Sequence, residues 1–190
     1  TLATNSVDSA ELIDGAVDNS HLADDAVAVA ELSATGTASS STFLRGDNAW
    51  AAAGTTQVSF YAKPSGGAQS ISAGTYTKIT YANEIIDTHS AYDTTNSRFT
   101  PTIAGYYLFV ARASVNNAAA SDYYMGVFYK NGSQYDRGGN CKPDNDYNAL
   151  TGSCIMYMNG SSDYVEHYVL TQSALTLEGN TDWFQGVLVS

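Results

Sequence analysis

The chain has 190 residues, of which 44% are apolar and 12% aromatic, enough to build one sizeable hydrophobic core. Its net charge of −11, with only eight lysines and arginines, excludes a basic surface for nucleic-acid phosphates or an anionic membrane. No apolar run approaches the roughly 20 residues of a membrane span, so we expect a soluble chain without membrane insertion. Because it opens at Thr1 without a basic signal segment, we interpret it as part of a longer protein.

Aromatic residues and acids are distributed unevenly along the chain. Only Phe43 and Trp50 precede residue 51, whereas all 14 tyrosines follow it. Residues 1–50 carry eight acids and one base, and the remainder carries eleven acids and seven bases. We therefore predict a stalk over residues 1–35, a connector over 36–55 and a globular head over 56–190.

The predicted stalk contains a ten-residue repeat with apolar residues five apart. Its two apolar columns are Val7, Val17 and Val27, and Leu12, Leu22 and Leu32. A coiled coil needs apolar spacings of three and four, and a half-buried strand needs a spacing of two. One Val and one Leu per unit bury too little surface in one chain, whereas three chains about an axis bury more. We therefore predict a homotrimeric stalk, the alternative being a disordered acidic linker.

The connector begins with a stretch rich in Ser, Thr, Ala and Gly that is typical of extended chain. Residues 42–50 then read TFLRGDNAW. A turn at residues 46–48 would fold Trp50 back over Phe43 and Leu44, and we predict that three chains pack together there. The string resembles the Leu-Arg-Gly-Asp-Gly-x-Trp element of bacteriophage tail-fibre and related virion proteins. The alternative, an Arg-Gly-Asp integrin ligand at residues 45–47, is disfavoured because its flanks are apolar.

From residue 56 onward the sequence is typical of an all-β sandwich or jelly roll, with β-branched and aromatic runs between Gly, Asn, Asp and Ser clusters. The predicted strands cover residues 57–62, 76–86, 97–100, 105–116, 122–130, 133–137, 148–158, 162–170 and 181–189. All three prolines fall between these runs, as a sheet interior requires. Asn131-Gly132 predicts a tight hairpin.

The predicted strand over 105–116 has two apolar faces. One face carries Tyr107, Phe109, Ala111, Ala113 and Val115, and the other carries Tyr106, Leu108, Val110, Arg112 and Ser114. A strand that is apolar on both sides is typical of a central strand. We predict that one face lies in the sandwich core and the other faces a neighbouring subunit.

A set of spaced motifs runs through the head. These are Tyr92-Asp93, Arg98-Phe99-Thr100-Pro101, Gly105-Tyr106-Tyr107-Leu108-Phe109, Lys130-Asn131-Gly132 and Trp183-Phe184-Gln185-Gly186-Val187-Leu188. The pattern resembles the globular head of complement component 1q, a tumour-necrosis-factor-like jelly roll. The resemblance implies a ten-strand sandwich in a compact trimer. It places Phe99, Tyr107, Phe109 and Phe184 in the core or at the axis, Gly105 at a close approach and Gly186 in the closing motif.

The resemblance departs from animal proteins of that family in one respect. Collagen-like Gly-x-y triplets, frequent before such heads, are absent, and the decad repeat takes their place. This shifts the expected setting from an animal secreted protein to a virion.

No catalytic motif occurs, and the three histidines lie far apart in the sequence, so we predict that the chain is not an enzyme. The polar stretch over 136–147 is the most ligand-like segment, because loops on a β scaffold commonly carry recognition. The predicted receptor-binding residues are Tyr135, Arg137, Asn140 and Tyr147, since aromatic faces stack on sugars and Asn bonds hydroxyls. The alternatives are a solvated turn and tyrosines that cover subunit contacts.

Oxygen ligands in the same loop suit Ca²⁺, the one cofactor that the sequence suggests. The residues that would hold it are Asp144, Asn145 and Asp146. The two cysteines, Cys141 and Cys154, lack the further ligands of a metal site. Either they form one disulfide or they are free thiols, with Cys154 buried in a strand.

These features together predict a non-enzymatic, trimeric phage fibre tip, in a virion and extracellular, that attaches to a bacterial surface glycan or protein. Other virion proteins would join it upstream of residue 1. Two alternatives stay open: a structural decoration or capsid fibre without a receptor, and a bacterial surface or spore-hair protein of the same fold.

Overall fold

The computed structural model describes residues 21–23, 27–52, 57–115, 122–142 and 148–189. The chain divides into two units, Thr1–Gly54 and Thr55–Ser190. In the described part of the chain, no helix is long and apolar enough to cross a membrane. The predicted stalk positions Val7, Leu12 and Val17 lie outside the described residues, so their role stays a prediction.

The described part of the first unit includes a short 3-10 helix and a β-hairpin. The elements are the helix Val29–Glu31, β1 (Thr42–Leu44) and β2 (Trp50–Ala52). Asn48 donates its N–H to the Arg45 carbonyl at 3.0 Å and has a φ of 59°, which closes the turn. Leu44 then pairs with Trp50. The predicted turn over residues 46–48 is confirmed.

The apolar side chains of this small unit are largely open to solvent. Phe43 is 50% exposed and Leu44 39%. The stalk residues Leu22 and Val27 are 45% and 51% exposed, whereas Leu32 is half-buried. Of the described axial positions, one chain therefore leaves Leu22 and Val27 uncovered.

The second unit is a sandwich of two antiparallel sheets. Sheet I contains β3 (Ser59–Lys63), β4 (Gln69–Ile71), β6 (Asn83–Asp87), β9 (Ala104–Val115), β12 (Asn148–Asn159), β14 (Leu175–Leu177) and β15 (Trp183–Leu188). Sheet II contains β5 (Thr77–Lys78), β7 (Tyr92–Asp93), β8 (Arg98–Phe99), β10 (Tyr124–Lys130), β11 (Ser133–Cys141) and β13 (Val165–Thr171). In sheet I, β9 pairs with β12 and β15, and β15 pairs with β3. In sheet II, β10 lies between β11 and β13.

Aromatic rings fill the space between the sheets. The Phe60 ring stacks on Phe99 at 4.4 Å between centroids and meets the edge of Phe184 at 4.8 Å. The predicted inward face of β9 is buried, namely Tyr107, Phe109, Ala111, Ala113 and Val115. Gly105 lies near the start of the same strand and pairs with Met158.

The predicted strand over 76–86 is wrong as a single element. It consists of β5 and β6, which belong to different sheets. Between them Thr80 donates its N–H to Gln69 Oε1 and Tyr81 donates to Ser97 Oγ, both at 2.9 Å. Side chains therefore take the backbone donors that a continuous strand would give to its neighbour, and the chain crosses the sandwich.

Other differences concern short strands and one glycine pair. The sequence pattern missed β4, β7 and β14, which have three residues or fewer. It also ended β11 at residue 137, because Gly138-Gly139-Asn140 is typical of a turn. Instead β11 continues to Cys141, and a side chain at Gly152 would collide with the Gly138 backbone. The missing side chains let β11 approach β12 at this edge of the sandwich.

Candidate interaction surfaces

The outer face of sheet I, opposite the core, is apolar and open to solvent; we name it the sheet I face. It follows from strand alternation, since neighbours of buried residues point outward. Its members are Tyr61, Ile86, Tyr106, Leu108, Val110, Ile155, Tyr157 and Val187. Ile155 is 60% exposed, and Tyr106 and Tyr157 pair directly with their ring centroids 5.5 Å apart.

A shallow hollow of about 290 Å³ lies on this face where β3, β9 and β15 meet. Tyr61, Ile86, Leu108, Val110 and Val187 line it, together with the polar residues Ser59 and Gln185. Largely apolar surface of this kind on a single chain is typical of a protein interface. The uncovered face of β9 thus has the chemistry expected for contact with another subunit.

The outer face of sheet II has a different chemistry; we name it the sheet II face. Its members are Tyr76, Lys78, Asp93, Arg98, Met125, Val127, Tyr129, Arg137, Glu166, Tyr168 and Leu170. Tyr129 and Tyr168 stack at 4.0 Å between centroids, and Tyr76 meets Tyr129 edge-on at 5.9 Å. The rings are half-buried, and Val127, which pairs with Tyr168 across the strands, is fully buried.

Glu166 lies at the centre of the sheet II face and is only 2% exposed. Its Oε1 accepts hydrogen bonds from Lys78 Nζ at 3.2 Å and Arg98 Nη2 at 3.0 Å. Burial and the nearby Glu166 carboxylate raise the pKa of Tyr168 to about 12, so its hydroxyl stays neutral at physiological pH. One buried carboxylate thus holds two cations beside the tyrosines, and each keeps about a third of its side chain exposed.

Three of the predicted receptor-binding residues lie on β11. Tyr135 is 50% exposed, Arg137 pairs with Val127 of β10, and Asn140 pairs with Met125. Tyr147 and the predicted calcium ligands Asp144, Asn145 and Asp146 lie outside the described residues. Receptor binding and calcium binding at these positions stay predictions.

His167 is a core residue. It is 2% exposed, and its Nδ1 lies 2.7 Å from the Tyr81 hydroxyl. Burial lowers its pKa to about 3, so the ring is neutral over the physiological range. A neutral, enclosed imidazole stabilises the core and exchanges no proton with solvent.

The two cysteines are free thiols. Cys154 is buried, and Cys141 is half-buried at the end of β11. The disulfide alternative is therefore wrong for this structure, and the free-thiol interpretation agrees with it.

The Lys78–Glu166–Arg98 cluster could not be found by sequence reasoning. Arg98 lies 68 residues and Lys78 lies 88 residues before Glu166 in the sequence, so no local spacing connects them. The sequence signal for this surface is the alternation of side chains in two strands, which places Val127 and Tyr129 on one side of β10 and Glu166 and Tyr168 on one side of β13. That signal becomes visible once β10 and β13 are known to be neighbours.

Comparison with known proteins adds one sequence relative and several structures. No protein-family profile matches the chain. The phage-like element PBSX protein XkdV of Bacillus subtilis (strain 168) is 32% identical over 111 residues, which cover 54% of this chain and 16% of that protein. The chain thus spans about a sixth of the length of the curated relative that it matches.

Three solved structures illustrate the fold of the head, each covering 70% of this chain. Murine APRIL is 11% identical with a TM-score of 0.51 over 100% of that chain. Eiger TNF of S. frugiperda is 9% identical with a TM-score of 0.53 over 93% of that chain. The PRD1 vertex protein P5 is 15% identical with a TM-score of 0.50 over 96% of that chain. The chain therefore has an all-β, tumour-necrosis-factor-like jelly-roll head, as the sequence resemblance implies.

Proposed function

We propose that this chain is one protomer of a trimeric phage fibre whose head attaches the particle to a bacterial surface without catalysing a reaction. The observation that carries the proposal is the sheet I face, a largely apolar surface on an acidic head. Covering it with two further copies removes its apolar surface from water, and closed rings are the usual form of homo-oligomers.

The first unit supports the same assembly. Its hairpin leaves Phe43 and Leu44 largely exposed, and a unit of this size gains little stability from its own core. Three hairpins packed about an axis would cover these side chains. The residues 36–55 then act as the joint between the stalk over 1–35 and the head over 56–190.

The phage setting is supported by a sequence relative named as a phage-like element protein. The residues 42–50, which resemble a tail-fibre element, point to the same setting independently. A fibre of this kind is an extracellular part of the virion, and further virion proteins would precede residue 1.

Attachment is tested by decoration of cells. Fluorescently labelled protein, first shown to be trimeric, is incubated with a broad panel of bacterial strains. We expect at least one strain to be decorated in a saturable way, with unlabelled protein competing. Absence of decoration across the panel would contradict the attachment role while leaving the assembly intact.

A second candidate is a structural capsid fibre without a receptor. One structural neighbour is named as a vertex protein, although its likeness extends only to the fold. Electron microscopy of the parent particle separates the two roles, because a tail fibre and a capsid fibre emerge at different places. A third candidate, a bacterial surface protein, predicts no particle at all.

A further inference from the structure

The sheet II face combines aromatic rings with cations in a way that the core does not require. Tyr129 and Tyr168 present half-buried rings that stack on each other, and the Tyr168 hydroxyl donates a hydrogen bond to Glu166 Oε2 at 3.3 Å. The aliphatic side chains of this face are Val127, which is fully buried, and the half-buried pair Met125 and Leu170. Charged residues are depleted at the centre of protein interfaces, whereas Glu166, Lys78 and Arg98 lie at the centre of this face, so the surface favours a polar ligand with flat apolar faces.

The charges on this face differ in sign from those of the rest of the head. The sheet II face carries three cations and two carboxylates, a net charge of +1 among its described residues. The cations are Lys78, Arg98 and Arg137, and the carboxylates are Asp93 and Glu166. The head as a whole carries seven bases against eleven acids. A local positive excess attracts an anionic ligand to this face, whereas the net negative charge of the rest of the protein repels it.

The register of the strands sets the spacing of these cations. Arg137, Val127, Tyr168 and Lys78 occupy one row across β11, β10, β13 and β5. At about 4.8 Å per strand, the two cations at the ends of the row stand roughly 14 Å apart between Cα atoms. Val127 and Tyr168 lie between them in the row, and Tyr129, two residues further along β10, stacks on Tyr168. This is the span of a short oligosaccharide, with its rings in the middle and its acid groups at the ends.

We propose that the sheet II face binds an anionic oligosaccharide, with sugar rings on Tyr129 and Tyr168 and acid groups paired with Arg137 on one side and Lys78 and Arg98 on the other. The axial C–H groups of a pyranose pack on aromatic rings, and guanidinium and ammonium groups bond carboxylates or phosphates. The inference deepens the proposed attachment function and rests on it. If neighbouring subunits cover the sheet I face, the sheet II face points away from the trimer and stays open.

The test uses the full trimeric chain and a panel of oligosaccharides that carry uronic acids or sugar phosphates, each with its neutral counterpart. Binding is measured by calorimetry. We expect at least one acidic oligosaccharide to bind about tenfold more tightly than its neutral counterpart. Equal binding of the neutral counterpart, equal binding of polyglutamate or an oligothymidylate, or no binding at millimolar concentration would each overturn the proposal.

Variants connect the binding to this face. Tyr129→Leu keeps an apolar side chain beside Val127 but removes the aromatic ring, so we expect the affinity for the oligosaccharide to fall about tenfold. Tyr129→Phe retains the ring, so we expect it to retain the affinity. Arg137→Gln weakens binding, and Lys142→Gln, which removes the same charge from an exposed site at the end of β11, does not. Unchanged affinity in Tyr129→Leu and Arg137→Gln would overturn the assignment.

The outcome separates this inference from the attachment function. If wild-type protein and Tyr129→Leu decorate cells equally, attachment stands and the sheet II face is not the site. If the oligosaccharide binds in a Tyr129-dependent way but no strain is decorated, the site stands and attachment fails.

Discussion

Gly186 shows at the scale of one residue why the closing strand needs its glycine. A Cβ at this position would lie 2.6 Å from the Phe109 ring and 2.7 Å from the Phe60 ring. We predict that Gly186→Ala lowers the free energy of unfolding by about 1–3 kcal/mol, because the rings must shift. Urea denaturation measures the change. Phe109→Leu should relieve part of it, so additive losses in the double variant would contradict this explanation.

Asp163 joins two turns of the head through its carboxylate. It accepts hydrogen bonds from Asn131 Nδ2 at 2.8 Å and from the Asn159 N–H at 3.0 Å, and it pairs with Lys130 at 2.9 Å. We predict that Asp163→Asn lowers the melting temperature by about 3 °C at neutral pH, because a charged acceptor is lost. Calorimetry measures the change, and Ser133→Ala on the exposed start of β11 serves as the control.

The same carboxylate gives a pH dependence. Hydrogen bonds from Asn131, followed by Lys130, lower the pKa of Asp163 below its value in the unfolded chain. Its contribution is therefore complete above the unfolded pKa of about 3.9 and is lost as the pH falls through the lower folded pKa. The difference between wild type and Asp163→Asn should be constant above about pH 5 and shrink below pH 4. A difference that persists at lower pH would contradict the assignment.

The sequence predicts residue roles well where a role depends on alternation. The buried face of β9 follows from period two alone, since every second side chain meets the core. Sequence-based prediction fails where a role depends on partners that are distant in the chain. Glu166 has the sequence pattern of any outward residue of β13, and its role depends on Lys78 of β5 and Arg98 of β8. The resemblance identified both Gly186 and Phe109, but not Phe60 or the contact of either ring with the glycine.

At the scale of elements, the approach of β11 to β12 determines where the two cysteines lie. Gly138 lies against Gly152, so Cys154 is near Asp136, whereas Cys141 is five residues further along β11. At about 3.3 Å per residue this separates the cysteines by roughly 17 Å, beyond the reach of a disulfide.

We predict different reactivities for these two thiols. Burial, followed by the nearby Asp136 carboxylate, raises the pKa of Cys154 to about 12, so it should resist alkylation in the folded protein. Cys141 should be alkylated first, as mass spectrometry after a brief iodoacetamide pulse would show. Denatured protein is the control, in which both react. A peptide pair joined by a disulfide would contradict the predicted register.

Long strands were predictable from sequence and short ones were not. β9, β10 and β12 differ from their predicted ranges by two residues or fewer at either end, since each has a long alternating pattern. β7 and β14 have too few residues to show a period. The single predicted strand over 76–86 failed because a β-rich composition does not reveal where a chain leaves one sheet for the other.

At the scale of the whole molecule, the two sheets of the head present opposite faces of different chemistry. The sheet I face is proposed to contact neighbouring copies, and the sheet II face is proposed to meet the ligand. The jelly-roll class was predictable from strand pattern and motif spacing. The different chemistry of the two faces was not predictable from the sequence, because it depends on the order of the strands in each sheet.

The trimer is the central claim, and light scattering after size exclusion of the full chain tests it most directly. We predict a particle of about 60 kDa, three times the chain mass of 20.1 kDa, at micromolar concentration. Ile155→Asp, which places a charge on the sheet I face, should shift the particle towards a monomer, whereas Gln134→Asp on β11 should not. A wild-type monomer of 20.1 kDa, or a trimer that Ile155→Asp leaves unchanged, would contradict the account.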